Sequence, residues 1–327
     1  MPKRAPLPDE LVGRSFTLRS ALSADLSISR TRAKDLTTPS REVRVPVGAI
    51  QPVLSRCRPY VELLPGSFVS HTTAAEIHGI HLPHWISHEQ VHLSRGRQTA
   101  GPRRKGVKGH RLDISEGDVV EIDGLPVTSL ARTWLDLATV LPLEDLVVAG
   151  DQIISEHTRS FGPPRIPMVP KRDLERFIAT HGRSWGIQKA RSAFDRLRVG
   201  VDSPPESLVR LILEDAGLPE FSVNCPLRDA NGVIVAWTDL GCEAFRVCIE
   251  YDGEHHLTPE QQAKDMARDA KVAEVEWAQV KLNRLDLPEG GWRVVAKVKK
   301  PLLRQGWRPG SQELLGTSSE FPNRRPA

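Results

Sequence analysis

The fold and the chemistry of this chain depend most on one stretch, Trp237–His256, which reads WTDLGCEAFRVCIEYDGEHH. Its centre, residues 245–251, is rich in aromatic and β-branched side chains, and this predicts a buried strand. The strand stops at Asp252-Gly253, a pair typical of a tight turn. Residues 233–237 form a second strand-like run. We therefore expect the two strands to pair as a hairpin.

Three carboxylates would converge at one end of such a hairpin. Side chains alternate along a strand, so Glu250 and Asp252 share one face. The preceding strand leads into Asp239, which the pairing brings close to Glu250. Acids that share an apolar strand are costly to bury unless a cation lies between them. Hard divalent ions such as Mg²⁺ bind oxygen ligands of this kind, so the pattern favours a metal site.

A purely structural interpretation of the same acids stays open. Asp252 is explained by the turn alone. Glu250 is explained by an ion pair with Arg246 or Arg268, since structural ion pairs also occupy such positions.

Composition sets the class of the protein. A length of 327 residues is enough for about two or three domains, and a composition of 39% hydrophobic and 26% charged residues fits a globular protein. The net charge of +4 permits nucleic-acid binding without demanding it. The four cysteines show no C-x-x-C spacing, so we expect a reducing, cytoplasmic setting. No apolar run approaches the roughly 20 residues that span a bilayer, so no membrane partner is expected.

Changes in pattern divide the chain into segments and predict a multidomain protein of mixed α+β and α/β class. The predicted segments are a basic arm or degenerate helix-turn-helix (1–60), a small α+β domain (61–155), a linker with helices (156–200), an α/β domain (201–308) and a disordered tail (309–327). In the first segment, short helices at residues 21–25 and 29–35 would make the helix-turn-helix; an incompletely ordered basic arm is the alternative.

Local signals predict the elements of the two middle segments. A helix should run from His71 to Gly79, strands near residues 89–94 and 119–122, and helices over 128–138 and 143–155. The proline-dense residues 162–170 predict an extended linker before helices at 171–181 and 188–196. The histidines from His71 to His92 match no zinc-site spacing, so we expect them to be ordinary core or surface residues.

The last domain should open with a capped helix. Ser203-Pro204-Pro205-Glu206 combines a serine cap, proline in the first turn and glutamate at capping-box spacing. After the hairpin we expect a charged helix over 259–276, a strand at 280–282 and a strand or helix over 292–299. This order of elements is typical of an α/β sandwich.

These C-terminal motifs together resemble the very-short-patch-repair endonuclease-like family of the PD-(D/E)XK nuclease superfamily. The resemblance rests on SPPE opening a helix, then WTD, then CIEYDGEHH, and it covers about residues 202–287. It implies a restriction-endonuclease-like fold that hydrolyses DNA with Mg²⁺ or Mn²⁺. Asp252 stands where the common superfamily motif has lysine.

The resemblance also implies a role for each matching residue. Asp239, Glu250 and Glu206 would be metal ligands, and Asp252 would complete the acidic motif. The mismatch-repair branch uses histidine in place of the motif lysine, so His256, or its neighbour His255, would act as general acid or base.

A second resemblance covers about residues 65–155. HTTAAEIHGI, VHLS, GLPVTSLARTWLDLA and LVVAGDQII are similar to AbiEi-type antitoxins of type IV toxin–antitoxin systems. This resemblance implies promoter DNA and a cognate toxin as partners. The sequence therefore predicts a Mg²⁺-dependent DNA endonuclease behind an antitoxin-like module. The alternative is a DNA-binding transcriptional regulator that keeps a nuclease-like fold without catalysis, and RNA remains open as a substrate.

Overall fold

A computed structural model describes residues 5–157, 164–253 and 259–309 of the chain. The fold has two compact units, and each is described by itself. The first unit comprises Met1–Ile153 with Met168–Arg196, and the second comprises Ile154–Pro167 with Leu197–Ala327. Both combine helices with β-sheet, so the predicted mixed α/β multidomain class is confirmed at that level.

The first unit contains short strands and helices that alternate along the chain. Its strands are β1 (Phe16–Thr17), β2 (Leu36–Thr37), β3 (Val43–Pro46), β4 (Phe68–Val69), β5 (Val91–Gly96), β6 (Val107–Leu112), β7 (Val119–Ile122) and β8 (Leu125–Thr128). Its helices are α1 (Leu18–Ser23), α2 (Val53–Leu63), α3 (His71–His78), α4 (Leu130–Leu137), α5 (Leu143–Ile154), α6 (Lys171–Thr180) and α7 (Ile187–Asp195).

A five-stranded sheet, ordered β6-β5-β4-β8-β7, is the centre of the first unit. Helix α2 packs on it through Cys57 and Tyr60, which join buried Val69, Leu93 and Val127 in one apolar cluster. The predicted helices of this region are observed, including those near 71–79, 128–138, 171–181 and 188–196. Strands β4 and β8 and helix α2 had no matching prediction.

Of the two short helices predicted within residues 1–60, the first overlaps α1 (Leu18–Ser23). The second is not a helix of this kind, because the segment at 29–35 holds a 3₁₀ turn, Arg30–Arg32, and strands β1, β3 and β2 form a small sheet. Phe16 and Ala21 are buried in a small core of their own, so these residues do not form an incompletely ordered arm. Arg30 is held by Asp35 at 2.9 Å, so this arginine has a structural partner.

The second unit is an α/β sandwich. Its strands are β9 (Ser222–Arg228), β10 (Ile234–Cys242), β11 (Val247–Asp252) and β12 (Ala278–Asn283), and its helices are α8 (Pro204–Asp215), α9 (Pro259–Glu274) and α10 (Trp292–Arg304). The sheet order is β12-β11-β10-β9. The predicted hairpin is confirmed, since β10 pairs antiparallel with β11, and β12 adds parallel to β11.

Alternation along β11 places its two faces against different helices. Ile249 and Val247 lie in a core with Val209 of α8 and Val298 of α10. Cys248, the neighbour of Ile249, lies in a separate cluster with Val272 of α9. The sheet is therefore covered on both faces, as its continuous apolar strands require.

The segment 292–299, left open between strand and helix, is helical as part of α10. Strand β9 was not predicted. The predicted tail at 309–327 lies almost entirely outside the described residues. Among the residues that the structure describes, no helix combines the length and the apolar character that crossing a bilayer requires.

Candidate active site in the second unit

Strands β10 and β11 separate just beyond their last paired residues, Leu240 and Ile249. Side chains complete the hydrogen bonding there. The backbone N–H of Tyr251 donates to Oδ2 of Asp239 at 2.7 Å, and the Thr238 hydroxyl donates to the carbonyl of Ile249 at 2.8 Å. The carboxylate of Asp239 is thereby held against β11, beside Glu250.

Glu250 is buried, with 4% of its surface exposed. Its Oε2 accepts an ion pair from Arg268 Nη2 at 2.6 Å, which is one of the two partners that the structural interpretation named. Its Oε1 is buried and has no hydrogen-bond partner among the described residues. Burial raises the pKa of Glu250 to about 7; Arg268 opposes this rise, whereas the charges of Asp239 and Asp252 add to it.

Glu206 enters from helix α8, on which it occupies the third position. The backbone N–H of Asp202 donates to its Oε2 at 3.0 Å, and the Ser203 hydroxyl donates to its Oε1 at 2.7 Å. This differs from the predicted capping box, because Ser203 bonds the glutamate and caps no backbone N–H. Burial, and after it the charge of Asp239, raise the pKa of Glu206 to about 7.

Asp239 is the predicted metal ligand that links the other two electrostatically. The charge of Asp239 raises the pKa of both Glu206 and Glu250, although these two come from different elements. Both glutamates are nearly inaccessible to water, so the ionised form of each carboxyl is destabilised by the loss of hydration. A cation bound among the three would relieve that penalty.

Other predicted residues lie at the edge of this cluster or outside it. Asp252 is exposed at the end of β11, in register with Asn283, and acts on Glu250 through its charge. His255 and His256, predicted as general acid or base, lie outside the described residues.

Tertiary packing brings two cationic side chains, those of Lys281 and Arg268, near Glu250. Lys281 of β12 is in register with Glu250 and lowers its pKa, while its own ammonium binds Asp269 at 2.5 Å. Lys281 had no predicted part in the site, and the parallel pairing of β11 with β12 is the signal that links it to Glu250. Arg268 reaches Glu250 from α9, on the same face as Cys248.

The donor set fits a hard divalent cation. Carboxylate oxygens are the ligands that Mg²⁺ and Mn²⁺ prefer. The buried Oε1 of Glu250 is an acceptor without a donor among the described residues. The raised pKa values of Glu206 and Glu250 come first from burial, and the negative charge of Asp239 adds to both. Glu206, Asp239 and Glu250 are the residues that would hold the ion.

Comparisons with known proteins leave the family of the chain undefined. No family model matches the sequence, and no solved structure matches it. Uncharacterized proteins of Mycobacterium tuberculosis, from strains H37Rv and CDC 1551, are 28% identical over 139 residues, which is 41% of this chain. The match spans 49% of those proteins, so the chain covers about half the length of the curated relatives it matches.

Proposed function

We propose that the second unit is a divalent-cation-dependent endonuclease that hydrolyses phosphodiester bonds in DNA. The observation that carries the proposal is that two buried glutamates of different elements, Glu206 and Glu250, both experience the charge of Asp239 and both have pKa values raised to about 7. Perturbed carboxyls of this kind are typical of functional sites. The four-stranded sheet with helices on both faces is consistent with the restriction-endonuclease-like sandwich that the resemblance implies.

Each residue has a distinct part in this proposal. Asp239, Glu250 and Glu206 would hold Mg²⁺ or Mn²⁺, which when bound activates water and neutralises charge on the phosphate. Tyr251 orients Asp239 through its backbone N–H, and Arg268 orients Glu250. The resemblance assigns the acid–base task to His256 or His255.

DNA is the proposed partner, and basic side chains offer it contacts. Arg95 lies in strand β5 of the first unit, and the exposed Arg97 and Arg103 follow that strand. Phosphate contacts of such side chains carry affinity without sequence preference. The antitoxin-like resemblance of residues 65–155 suggests a cognate toxin as a second partner. The proposal of DNA and of a toxin as partners is based on the two sequence resemblances and on the basic side chains.

A non-catalytic regulator is the second candidate, and one contact favours it. The ion pair between Arg268 and Glu250 supplies the carboxylate with a positive charge from the chain itself. In a regulator that retains a nuclease-like fold, this pair would permanently replace the metal. The two candidates differ in whether a divalent cation displaces Arg268 from Glu250.

Supercoiled-plasmid cleavage with Mg²⁺, Mn²⁺ or excess EDTA tests the proposal. Wild-type protein should nick DNA with metal, and Asp239→Asn should lower the rate at least about 100-fold, since even the residues that support metal ligands account for 10–100-fold. Glu220→Gln is the matched control, because that glutamate is 81% exposed in a surface pair with Arg198.

Calorimetry with Mg²⁺ separates the endonuclease from the non-catalytic regulator. Equal cleavage by wild type and Asp239→Asn, or no metal binding at millimolar concentration, would overturn the endonuclease proposal.

A further inference from the structure

Three histidines of the first unit lie together on one face of the five-stranded sheet. His92 of β5 and His110 of β6 point to the same side, because β5 and β6 are parallel and place His92 beside Lys108 and Ser94 beside His110. His71, the first residue of α3, stacks on His110 with ring centroids 3.7 Å apart. One ligand atom from each histidine lies within 4.8 Å of the other two.

The geometry points to a metal site: we propose that His71, His92 and His110 bind one Zn²⁺ ion, with water in the fourth position. Imidazole nitrogen is a preferred zinc ligand, and three histidines with an open fourth position form a known type of zinc site. In a tetrahedral site with Zn–N bonds of 2.0–2.1 Å, the ligand nitrogens lie about 3.3 Å from one another. The three ligand atoms now lie within 4.8 Å of one another, so zinc binding would bring each pair closer by about 1.5 Å at most.

The burial and bonding of the ring nitrogens support the proposal. His71 and His92 are only 3% and 5% exposed. Nδ1 of His92 and Nε2 of His110 are buried and have no hydrogen-bond partner among the described residues. An unpaired buried polar group costs about 1–3 kcal/mol, so a cluster of them needs a compensating ligand. A metal ion satisfies both nitrogens at once.

A second layer of contacts orients His71. Its Nδ1 lies 2.9 Å from the Ser70 hydroxyl, which in turn lies 2.6 Å from the Ser94 hydroxyl. Metal-bound histidines use their other ring nitrogen in this way, which leaves Nε2 for the ion. His71 also has a φ of 51°, a left-handed conformation that is rare for a residue with a side chain. Such strain is concentrated at functional sites.

The protonation state of the cluster suits metal binding. Burial is the main cause that lowers the pKa of His92 to about 3 and of His110 to about 4, and it lowers the pKa of His71 well below its usual value. All three imidazoles are therefore neutral at pH 7, with lone pairs available. Mutual repulsion and the charge of Lys108 add to these shifts.

Two cationic side chains act on the cluster. Arg132 influences His71, but Arg132 is itself paired with Asp118 at 3.0 Å and Asp136 at 2.9 Å. Lys108 lines an open cavity of about 210 Å³ together with His92, Gln90 and Trp85. Water reaches the fourth position from this cavity. Lys108 weakens cation binding by repulsion, so its removal should strengthen the site.

Zinc retention by the untagged full-length chain tests the proposal. After dialysis against a zinc buffer, wild type should keep one zinc ion per chain. His110→Gln and His92→Gln should each weaken binding at least about 100-fold, since loss of a ligand exceeds the 10–100-fold typical of a supporting residue. His84→Gln, a change at an exposed histidine of the same unit, should retain the ion. Lys108→Ala should bind zinc more tightly than wild type, an effect that a merely structural cluster would not produce.

X-ray absorption on zinc-loaded wild type keeps the proposal testable even if the histidine variants do not fold. It should show imidazole nitrogens at about 2.0 Å, with three histidines per zinc. Asp239→Asn should retain zinc fully, which separates this site from the carboxylates of the second unit. The proposal is overturned if wild type keeps no zinc, if His84→Gln loses it as completely as His110→Gln, or if the absorption spectrum lacks three imidazoles.

Discussion

Arg268 donates from Nη2 to Oε2 of Glu250 across 2.6 Å, an ion pair in which the carboxylate side chain is 6% exposed and the guanidinium side chain 38% exposed. The buried partner depends on the more exposed one for its counter-charge. Glu250 thus has an internal cation in the resting protein, and any divalent ion at this site competes with it.

Replacing Arg268 should destabilise the second unit. Arg268→Met keeps the apolar stem and removes the charge, so Glu250 stays buried without its ion pair. We expect a loss of about 1–3 kcal/mol at pH 8, less than for a fully buried pair because the guanidinium is partly in water. Urea unfolding in EDTA measures this loss.

Arg246→Met is the control for that change. Arg246 pairs with Glu276 at 3.4 Å, and both side chains are mostly exposed. Such surface pairs are worth about 0–1 kcal/mol. If both variants lose the same stability, Glu250 does not depend on Arg268.

The pH dependence of stability should report on Glu206 and Glu250. Both have a folded pKa of about 7, above the ordinary value of 4.5. Between these values the folded state binds protons that the unfolded chain has released, so stability falls as pH rises from about 4.5 to about 7 and then levels off. The upper bound is about 3 kcal/mol for each carboxyl.

Comparison with a neutral analogue isolates this contribution. Glu206→Gln removes one titrating group, so its stability curve between pH 5 and pH 8 should be flatter than that of wild type. Denaturant unfolding at several pH values, without metal, gives both curves. Parallel curves would contradict the raised pKa of Glu206.

The interior of the first unit depends on Arg132. Its guanidinium contacts Asp118 at 3.0 Å and Asp136 at 2.9 Å, and all three side chains are buried. His181 adds a contact of 3.0 Å to Asp118. Arg132→Met would leave two buried carboxyls without their cation, so we expect a loss of about 3–5 kcal/mol in thermal or chemical unfolding.

Arg97→Met provides the comparison for that variant. Arg97 pairs with Asp113 at 2.8 Å on the surface, where both side chains are more than half exposed. This change should cost about 1 kcal/mol or less. A similarly small effect for Arg132→Met would show that the buried pairs are not stabilising.

The four thiols should be inert in the folded protein. Cys57, Cys225, Cys242 and Cys248 are buried and unpaired by disulfides. Burial raises the pKa of Cys57 and Cys248 to about 12 and that of Cys225 to about 11. Reaction with a thiol reagent at pH 8 should be at least about 100-fold slower than for a free thiol, because the thiolate is the reactive form.

Unfolding provides the positive control for the thiol measurement. In guanidinium chloride all four cysteines of the sequence should react at once. Rapid labelling of any thiol before denaturation would contradict the burial of that residue.

Local patterns were sufficient to predict the elements that carry the carboxylate site. The alternation of β11 placed Glu250 and Asp252 on one side, and the start of helix α8 was marked by Ser203 and its prolines. The pairing of β10 with β11 followed from the short connection between them. Each of these is a property of neighbouring residues, so the sequence displays it directly.

Residues 1–60 show where such patterns fail. Their polar composition favoured an arm or two short helices, yet Val43 of β3 is buried in the cluster formed by α2 and the five-stranded sheet. Packing against that larger surface stabilises strands that are too short to persist alone.

The sequence by itself determined which side chains carry charge or imidazole, that strand β11 and helix α8 form, and which face of β11 Glu250 and Asp252 occupy. Tertiary structure decided their partners. It chose Arg268 over Arg246 for Glu250, and it brought His110 beside His71 and His92, although the histidines from His71 to His92 show no zinc-site spacing. The physical reason is that ion pairs and ligand clusters form between elements distant in the chain, and their distances are set by helix and sheet packing.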